Sequence, residues 1–478
     1  MAFEEILNQV GGLGRAQILQ LILFLVSLVV TQMQMFLETI TAATPDHRCW
    51  VHNLDNDTVS ANDTMGLNPD ALLQIFIPLD SNLRPEKCRR FLQPQWQFFH
   101  PNETFSNMNE SHLEPCVDGW VYDRSSFHST IVTEWDLVCE SRWLISVAQF
   151  LVMTGSLVGV ATYSYLTDRF GRKFIFRCCL LQLAVSATSV AFAPTFLVYC
   201  ALRFLSGLCI TNVMINAFLL TFEWTLPKYR SMEMSLLYSA VSLGNMLLGG
   251  LAFAIQDWRT LQLAVSVPCF VLFVLSRWLM ESARWLVVTN NVDKGLKLLK
   301  RAAHINGKKN IDETLNATFV KSIMQQELDG AQNKTPVFEI FRSPKLRARV
   351  CYLAFVRFAN QICFFGLALH LQHWGSTVYL FQILFGVVTF LGRYVGFAAL
   401  NYMGRRTSQL LFMFIQGLSI LAATFLPHEM QTLRVSLAML GAGVSASVSI
   451  CSSLHHSELI PTAIRYGDRP RPKQDFPK

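Results

Sequence analysis

Residues 144–173 read LISVAQFLVMTGSLVGVATYSYLTDRFGRK. Up to Leu166 the stretch holds no charged side chain, and it is as long as the roughly 20 residues needed to cross about 30 Å of hydrocarbon. The basic turn Asp168-Arg169-Phe170-Gly171-Arg172-Lys173 follows at once. Backbone groups in lipid must satisfy one another, so an isolated apolar run of this length is a helix. Nine further runs repeat the pattern: 16–36, 174–193, 196–220, 234–255, 261–279, 350–369, 378–400, 410–426 and 433–454. The chain is 52% hydrophobic and 15% charged, against roughly 25% charged for a soluble domain. The first run is a span and not a cleaved leader, because Glu4, Glu5 and Arg15 precede it and no small-residue cleavage site follows.

Orientation follows from charge and from sugar signals. Residues 37–143 form a polar loop with sequons at Asn56, Asn62, Asn102 and Asn109 and with Cys49, Cys88, Cys116 and Cys139. Such a loop belongs in an oxidising, exterior compartment, with two disulfides in one of three connectivities. Lys and Arg crowd the turn at 168–173 and the link at 281–349, so both face the cytosol. Residues 1–15 and the tail 455–478 then lie in the cytosol too, and the sequons at Asn316 and Asn333 stay bare. The net charge of +7 reflects this topology and implies no nucleic-acid partner.

The two halves echo each other. Gly171 in Asp168–Lys173 has its counterpart in Gly404 of Asn401-Tyr402-Met403-Gly404-Arg405-Arg406, 233 positions on. Glu223, Pro227 and Arg230 recur as Glu458, Pro461 and Arg465, the arginines lying 235 apart. Two landmarks in one order at nearly one offset mark a parallel repeat, the plan on which many transporters are built. Asp168, Arg169, Gly171, Arg172, Lys173, Glu223, Arg230, Gly404, Arg405, Arg406, Glu458 and Arg465 are read as gating residues, whose ion pairs latch helix ends in one state and part in the other.

The ordered set of motifs resembles the organic ion transporter family, most closely its organic anion transporter branch. The set comprises Met1-Ala2-Phe3, Gly11-Gly12-Leu13-Gly14-Arg15, Trp135-Asp136-Leu137-Val138-Cys139, the Asp168–Lys173 turn, Glu281-Ser282-Ala283-Arg284-Trp285-Leu286 and Glu458–Arg465. Ser164 departs from the glycine usual in the general facilitator turn, and Met280 and Ala283 replace the prolines of the sugar-porter version. The resemblance implies an all-α polytopic protein of the major facilitator fold, here with six spans in the first half and four in the second. It also implies a small-molecule transporter at the plasma membrane, with no enzymatic activity and no cofactor.

Charge within the spans bears on the substrate. The apolar runs contain no Asp, Glu, His or Lys, but they do contain Arg177, Arg203, Arg277, Arg357, Arg393 and Arg434. Buried charge in a membrane is costly and is commonly functional or paired. A cation or proton carrier is expected to keep a buried carboxylate, so an arginine-lined anion path fits better. Arg177, Arg277 and Arg434 lie near span ends, where they can snorkel, and Arg203 matches a helix-holding arginine of facilitators. Arg357 and Arg393 lie about 10 Å deep. Arg393 stands where the anion branch carries a basic residue in its eighth helix, and a guanidinium fork suits carboxylate or sulfate. Phe364 and Phe365 match paired aromatic positions of that branch, with Tyr238, Tyr379 and Phe381 as further pocket candidates. The expected substrates are steroid sulfates, bile-acid-like anions and prostanoids, moved by exchange or facilitated diffusion.

No P-loop or HExxH motif occurs, and Cys178-Cys179 and His455-His456 lack zinc spacing. The repeat offset places counterparts of the fifth and sixth spans at about 469–514, where the chain instead carries the short, proline-rich tail Tyr466–Lys478. The expectation is a shortened isoform, retained in the endoplasmic reticulum or associated with full-length relatives. A non-transporting regulatory protein and an organic cation transporter stand as the alternatives.

Overall fold

The computed structural model describes residues 2–55, 69–80, 84–94, 113–125, 127–308, 315–332, 344–370, 378–427 and 430–459. The described residues include ten helices long and apolar enough to cross a bilayer. They are α1 (Arg15–Thr41), α2 (Trp143–Phe170), α3 (Arg172–Val190), α4 (Phe196–Trp224) and α5 (Pro227–Ala254). The others are α6 (Trp258–Leu275), α7 (Pro344–His370), α8 (Val378–Tyr402), α9 (Arg405–Phe425) and α10 (Gln431–Leu459). All ten coincide with the apolar runs, and most outrun them. The helical ladder continues past the first polar side chain, which corrects the expectation that the spans hold no acid. Glu38 lies inside α1, Asp168 inside α2, Glu223 inside α4 and Glu233 inside α5.

Local chemistry sets the helix ends. Asp257 caps α6 by accepting from the Thr260 backbone N–H at 2.9 Å, and Pro227 opens α5, where its missing N–H costs no bond. Gly171 and Gly404 join α2 to α3 and α8 to α9 with φ of 98° and 77°, which a side chain would resist.

The repeat is also a packing repeat. A Cβ on Gly159 of α2 would stand 2.1 Å from the Leu208 carbonyl of α4, and one on Gly392 of α8 would stand 2.1 Å from the Gly443 carbonyl of α10. Small residues let these backbones touch, as membrane helix pairs require. The halves meet along α5 and α8, where Gly386 packs on Met246 and Gly249 on Ile383.

At one end, the N-terminal helix Ala2–Val10 buries Phe3, Ile6, Leu7 and Val10 against Leu299, Ala303 and Val320 of the central link. At the other end sits the long loop, with β1 (His47–Cys49) antiparallel to β4 (Trp120–Tyr122) and β2 (Arg89–Phe91) to β3 (Leu113–Pro115). Disulfides Cys49–Cys116 and Cys88–Cys139 settle which of the three connectivities is used. Ile131 and Val132 then anchor the loop against Ala42, Val190 and Trp258 at the ends of α1, α3 and α6. The four loop sequons, Asn333 and the tail from 460 onward, Arg465 included, fall outside the described residues.

Candidate functional site

Two clusters of expected residues line up along the contact between the halves. Nearer the basic end, Arg393 of α8 is buried, with its guanidinium carbon 5.7 Å from the Tyr238 ring centroid of α5. The Tyr238 hydroxyl lies 2.6 Å from Ser453 Oγ, which accepts from Arg357 Nη2 at 2.7 Å. Three helices of the second half and one of the first thus bring Arg393, Arg357 and Tyr238 together, and Ser453 joins them. Arg393 Nε and Nη1 are buried with no hydrogen-bond partner among the described residues. Donors left open in this way keep a strong attraction for an anion.

Toward the loop end the wall turns aromatic. Phe365 stacks on Phe36 of α1 at 6.1 Å, and Phe364 packs on Phe385 at 5.4 Å. Phe381 packs on the same cluster. Tyr379 stands farther out, 5.4 Å from Phe253 and 6.2 Å from Phe127. From Arg393 to Phe385 the helix advances eight residues, about 12 Å.

Amides and hydroxyls join the halves between the two clusters. Asn245 Oδ1 accepts from Gln32 Nε2 at 3.2 Å and Gln382 Nε2 at 3.4 Å, and Ser242 and Thr389 share a 3.0 Å hydrogen bond. Sequence reasoning followed charges and aromatic pairs and so missed Ser453, Phe36, Phe385 and these neutral groups. The available signal was polar residues within apolar runs, with Gln32, Asn245 and Gln382 among them.

The expected gating residues divide. Arg172 pairs with Glu223 at 2.9 Å, and Arg230 reaches Glu4 of the N-terminal helix at 3.7 Å. Glu281 accepts from the Arg172 and Lys173 backbone N–H groups at 3.0 and 3.1 Å, a role not assigned to it from sequence. Asp168 takes part through its carbonyl, which accepts from Trp285 Nε1 at 2.9 Å, and Lys173 Nζ donates to the Arg277 carbonyl at 2.9 Å. Arg169 lies over the neighbouring Phe170 ring. Gly404, Arg405 and Arg406 are exposed at the start of α9, and Glu458 lies in the last described turn of α10.

Charges in the loop hold it together. Arg48 grips Asp55 with two bonds of 2.7 and 2.6 Å. Desolvation pushes the Asp55 carboxyl up, but the Arg48 fork and the Val51 N–H outweigh it and hold the group below the usual carboxylate range. Burial and the hydrogen bond to Asp136 push the Tyr122 phenol far up.

Comparison with known proteins fits this architecture. Residues 131–465 match the family model described as Major Facilitator Superfamily. The human steroid transmembrane transporter SLC22A24 is 58% identical, over 97% of this chain and 84% of that protein. Human solute carrier family 22 member 10 is 56% identical, over 97% and 86%. The xylose transporter XylE from E. coli superposes with a TM-score of 0.57 at 13% identity, over 93% of this chain and 89% of that one, a likeness of fold alone.

Proposed function

We propose, for a chain that belongs to the major facilitator superfamily and within it to solute carrier family 22, that the organic ions it transports are amphipathic anions. It is a multi-pass membrane transporter of small organic molecules, not an enzyme. The observation that carries the finer reading is Arg393, a buried cation whose Nε and Nη1 lack partners. The sulfate or carboxylate of a substrate supplies the missing acceptors as two parallel bonds. Arg357, Tyr238 and Ser453 stand beside it as further donors.

The apolar body then lies toward Phe364, Phe365, Phe36 and Phe385. The roughly 12 Å between the two clusters suits a sulfated or carboxylated steroid, in keeping with the steroid named for SLC22A24. Both clusters draw residues from both halves, so rocking of the halves assembles and opens the site, as alternating access requires. Arg172–Glu223 and the Glu281 cradle latch the basic end during that cycle. The basic ends put loop 37–143 on the exterior side, its sequons at Asn56, Asn62, Asn102 and Asn109 make it the glycosylated segment, and kinship with solute carrier family 22 supports placement at the plasma membrane. Uptake of labelled estrone sulfate, set beside a labelled quaternary amine at matched surface level, tests the reading. Entry of the sulfate and not the amine supports it, and the reverse overturns it in favour of cations.

A further inference from the structure

The link helix Val292–Ile305 is amphipathic, and the core accounts for only one of its faces. Val292, Leu299, Ala302 and Ala303 pack with Ile6, Leu7 and Val10 of the N-terminal helix. Lys294, Lys297 and Arg301 are exposed, and at spacings of three and four they share another face. Asn306 ties the end of this helix to the start of α1. Its Oδ1 accepts from the Ala16 backbone N–H at 2.9 Å, and its Nδ2 donates to the Val10 carbonyl at 3.1 Å.

That tie sets Arg301 and Ile305 at the basic end of a groove of about 520 Å³ between α1 and α6, a volume within the roughly 300–1,000 Å³ of small-molecule sites. The walls are apolar. Leu19, Ile22 and Val26 form an exposed stripe on α1, with Leu275 of α6 and Trp278 just beyond it lining the same groove. Trp278 is 68% exposed, as a tryptophan at the membrane–water interface is. Gln20 also lines the groove, 7% exposed, and its Nε2 and Oε1 have no partner among the described residues. It borders a void of about 10 Å³ shared with Glu233 as well. Such a void holds at most about one water, which leaves one end of the amide for a ligand in the groove.

The mouth is cationic. Arg15, also exposed, precedes Leu19 by one turn on the same stripe of α1, and the Lys308 side chain passes 3.5 Å from where a Cβ on Gly11 would stand. Among the described residues neither of these nor Arg301 has an ion pair. The field of Arg301 also reaches Lys173 at the start of α3. The carboxylates nearby are Glu281, taken up by the Arg172 and Lys173 backbone N–H groups, and Asp293 on the link helix.

We propose that this groove holds one anionic phospholipid of the cytosolic leaflet. Its phosphate lies among Arg301, Arg15 and Lys308, an ester carbonyl accepts from the Gln20 amide, and one acyl chain runs between α1 and α6. The cytosolic leaflet is the source because the basic end faces it and it carries the anionic lipids. A free phosphate would satisfy the cations and leave the apolar walls bare, while a zwitterionic lipid would cover the walls and bring its ammonium against the cations. The bound lipid joins α1, α6 and the link helix beside the Arg172–Glu223 latch. The inference stands apart from the identity of the transported ion.

The test titrates purified full-length chain in detergent with phosphatidylserine or phosphatidylcholine brominated in one acyl chain. Quenching at the groove is read as the difference between the wild type and Trp278→Phe. Half-quenching should need at least about tenfold less phosphatidylserine than phosphatidylcholine, and Arg301→Gln should raise the phosphatidylserine value about fivefold, the worth of one basic residue at an anionic surface. The phosphatidylcholine value should not move. Arg405→Gln, at the second-half turn, should change neither, and glycerophosphoserine, a headgroup without chains, should not displace the lipid. Equal values for the two lipids overturn the inference, as does an effect of Arg405→Gln equal to that of Arg301→Gln. Displacement by glycerophosphoserine, or quenching that Trp278→Phe leaves undiminished, also overturns it. Where Trp278→Phe does not fold, native mass spectrometry decides: one phosphatidylserine kept by the wild type and lost in Arg301→Gln supports the inference, and equal retention of the two lipids overturns it.

Discussion

Arg203 in the first half and Arg393 in the second are both arginines buried inside membrane helices, and their surroundings differ. Arg203 bonds the Tyr199 hydroxyl one turn away on its own helix and feels the Glu38 carboxylate, with its Nη2 left unpartnered. Arg393 lies over the Tyr238 ring with two nitrogens unpartnered and has no ion pair among the described residues. A buried charge with polar partners holds a structure together, and removing it strands those partners. A buried charge without them destabilises the empty protein and waits for a ligand that bears the complementary charge. The difference separates scaffold from site where residue type and depth do not.

Substituting each arginine in turn puts that separation at risk. Arg393→Ala should cut estrone sulfate uptake by roughly a hundredfold, the scale of losing a charge-assisted fork, and Arg393→Lys should keep part of the rate because charge survives without the fork. Thermal unfolding of the detergent-purified Arg393→Ala protein without substrate should come no earlier than in the wild type. An alanine variant that transports normally would show Arg393 to be scaffold as well.

Arg203→Ala should behave in the opposite sense. The folded state should lose about 3 kcal/mol, seen as an earlier thermal transition and less protein at the surface. What does reach the surface should still prefer estrone sulfate to estrone. Loss of that preference with unchanged stability would exchange the roles of the two arginines.

The basic end should respond more mildly. Glu281→Gln weakens the cradle under Arg172 and Lys173, and uptake per surface molecule should fall about fivefold through a shift of about 1 kcal/mol, at the low end of ordinary coupling energies, with affinity for estrone sulfate little changed. Arg405→Gln, at an exposed position of the second-half turn, should change uptake less. Equal effects would deny the first-half turn the larger share in gating.

The smallest effect belongs to the loop. The Asp55 carboxyl is held below its ordinary value, so its contribution is complete above about pH 4 and fades as pH falls through the lower folded value. Proteolysis of the loop should therefore quicken below about pH 4, and Asp55→Asn should remove that acid-dependent part by less than about 1 kcal/mol. A loop equally protected at pH 7 and pH 3 would leave the Arg48–Asp55 pair without weight.

The fold was legible in the sequence because hydrophobic length and basic turns are local signals. Leu144–Leu166 and the Gly171 turn give a span and a hairpin without reference to the rest of the chain. The repeat was legible too, since Gly171 and Gly404 must both adopt positive φ. The site was half legible. Arg393 and Phe365 stand out by type, but whether a buried arginine has a partner depends on which helix faces it. Ser453, Phe36 and the amides of Gln32, Asn245 and Gln382 are ordinary residues until packing brings α1, α5, α8 and α10 together. Glu38 was passed over for a simpler reason: the apolar run ends at Phe36, and the helix does not.

Equilibrium binding of labelled estrone sulfate and of neutral estrone to the purified wild type and to Arg393→Ala tests the central claim most directly. The wild type should bind the sulfate at least about tenfold more tightly than estrone, a margin of about 1.4 kcal/mol. The Arg393→Ala protein should bind the two with nearly equal affinity, its hold on estrone itself unchanged. A preference for the sulfate that survives the loss of Arg393 would contradict the account.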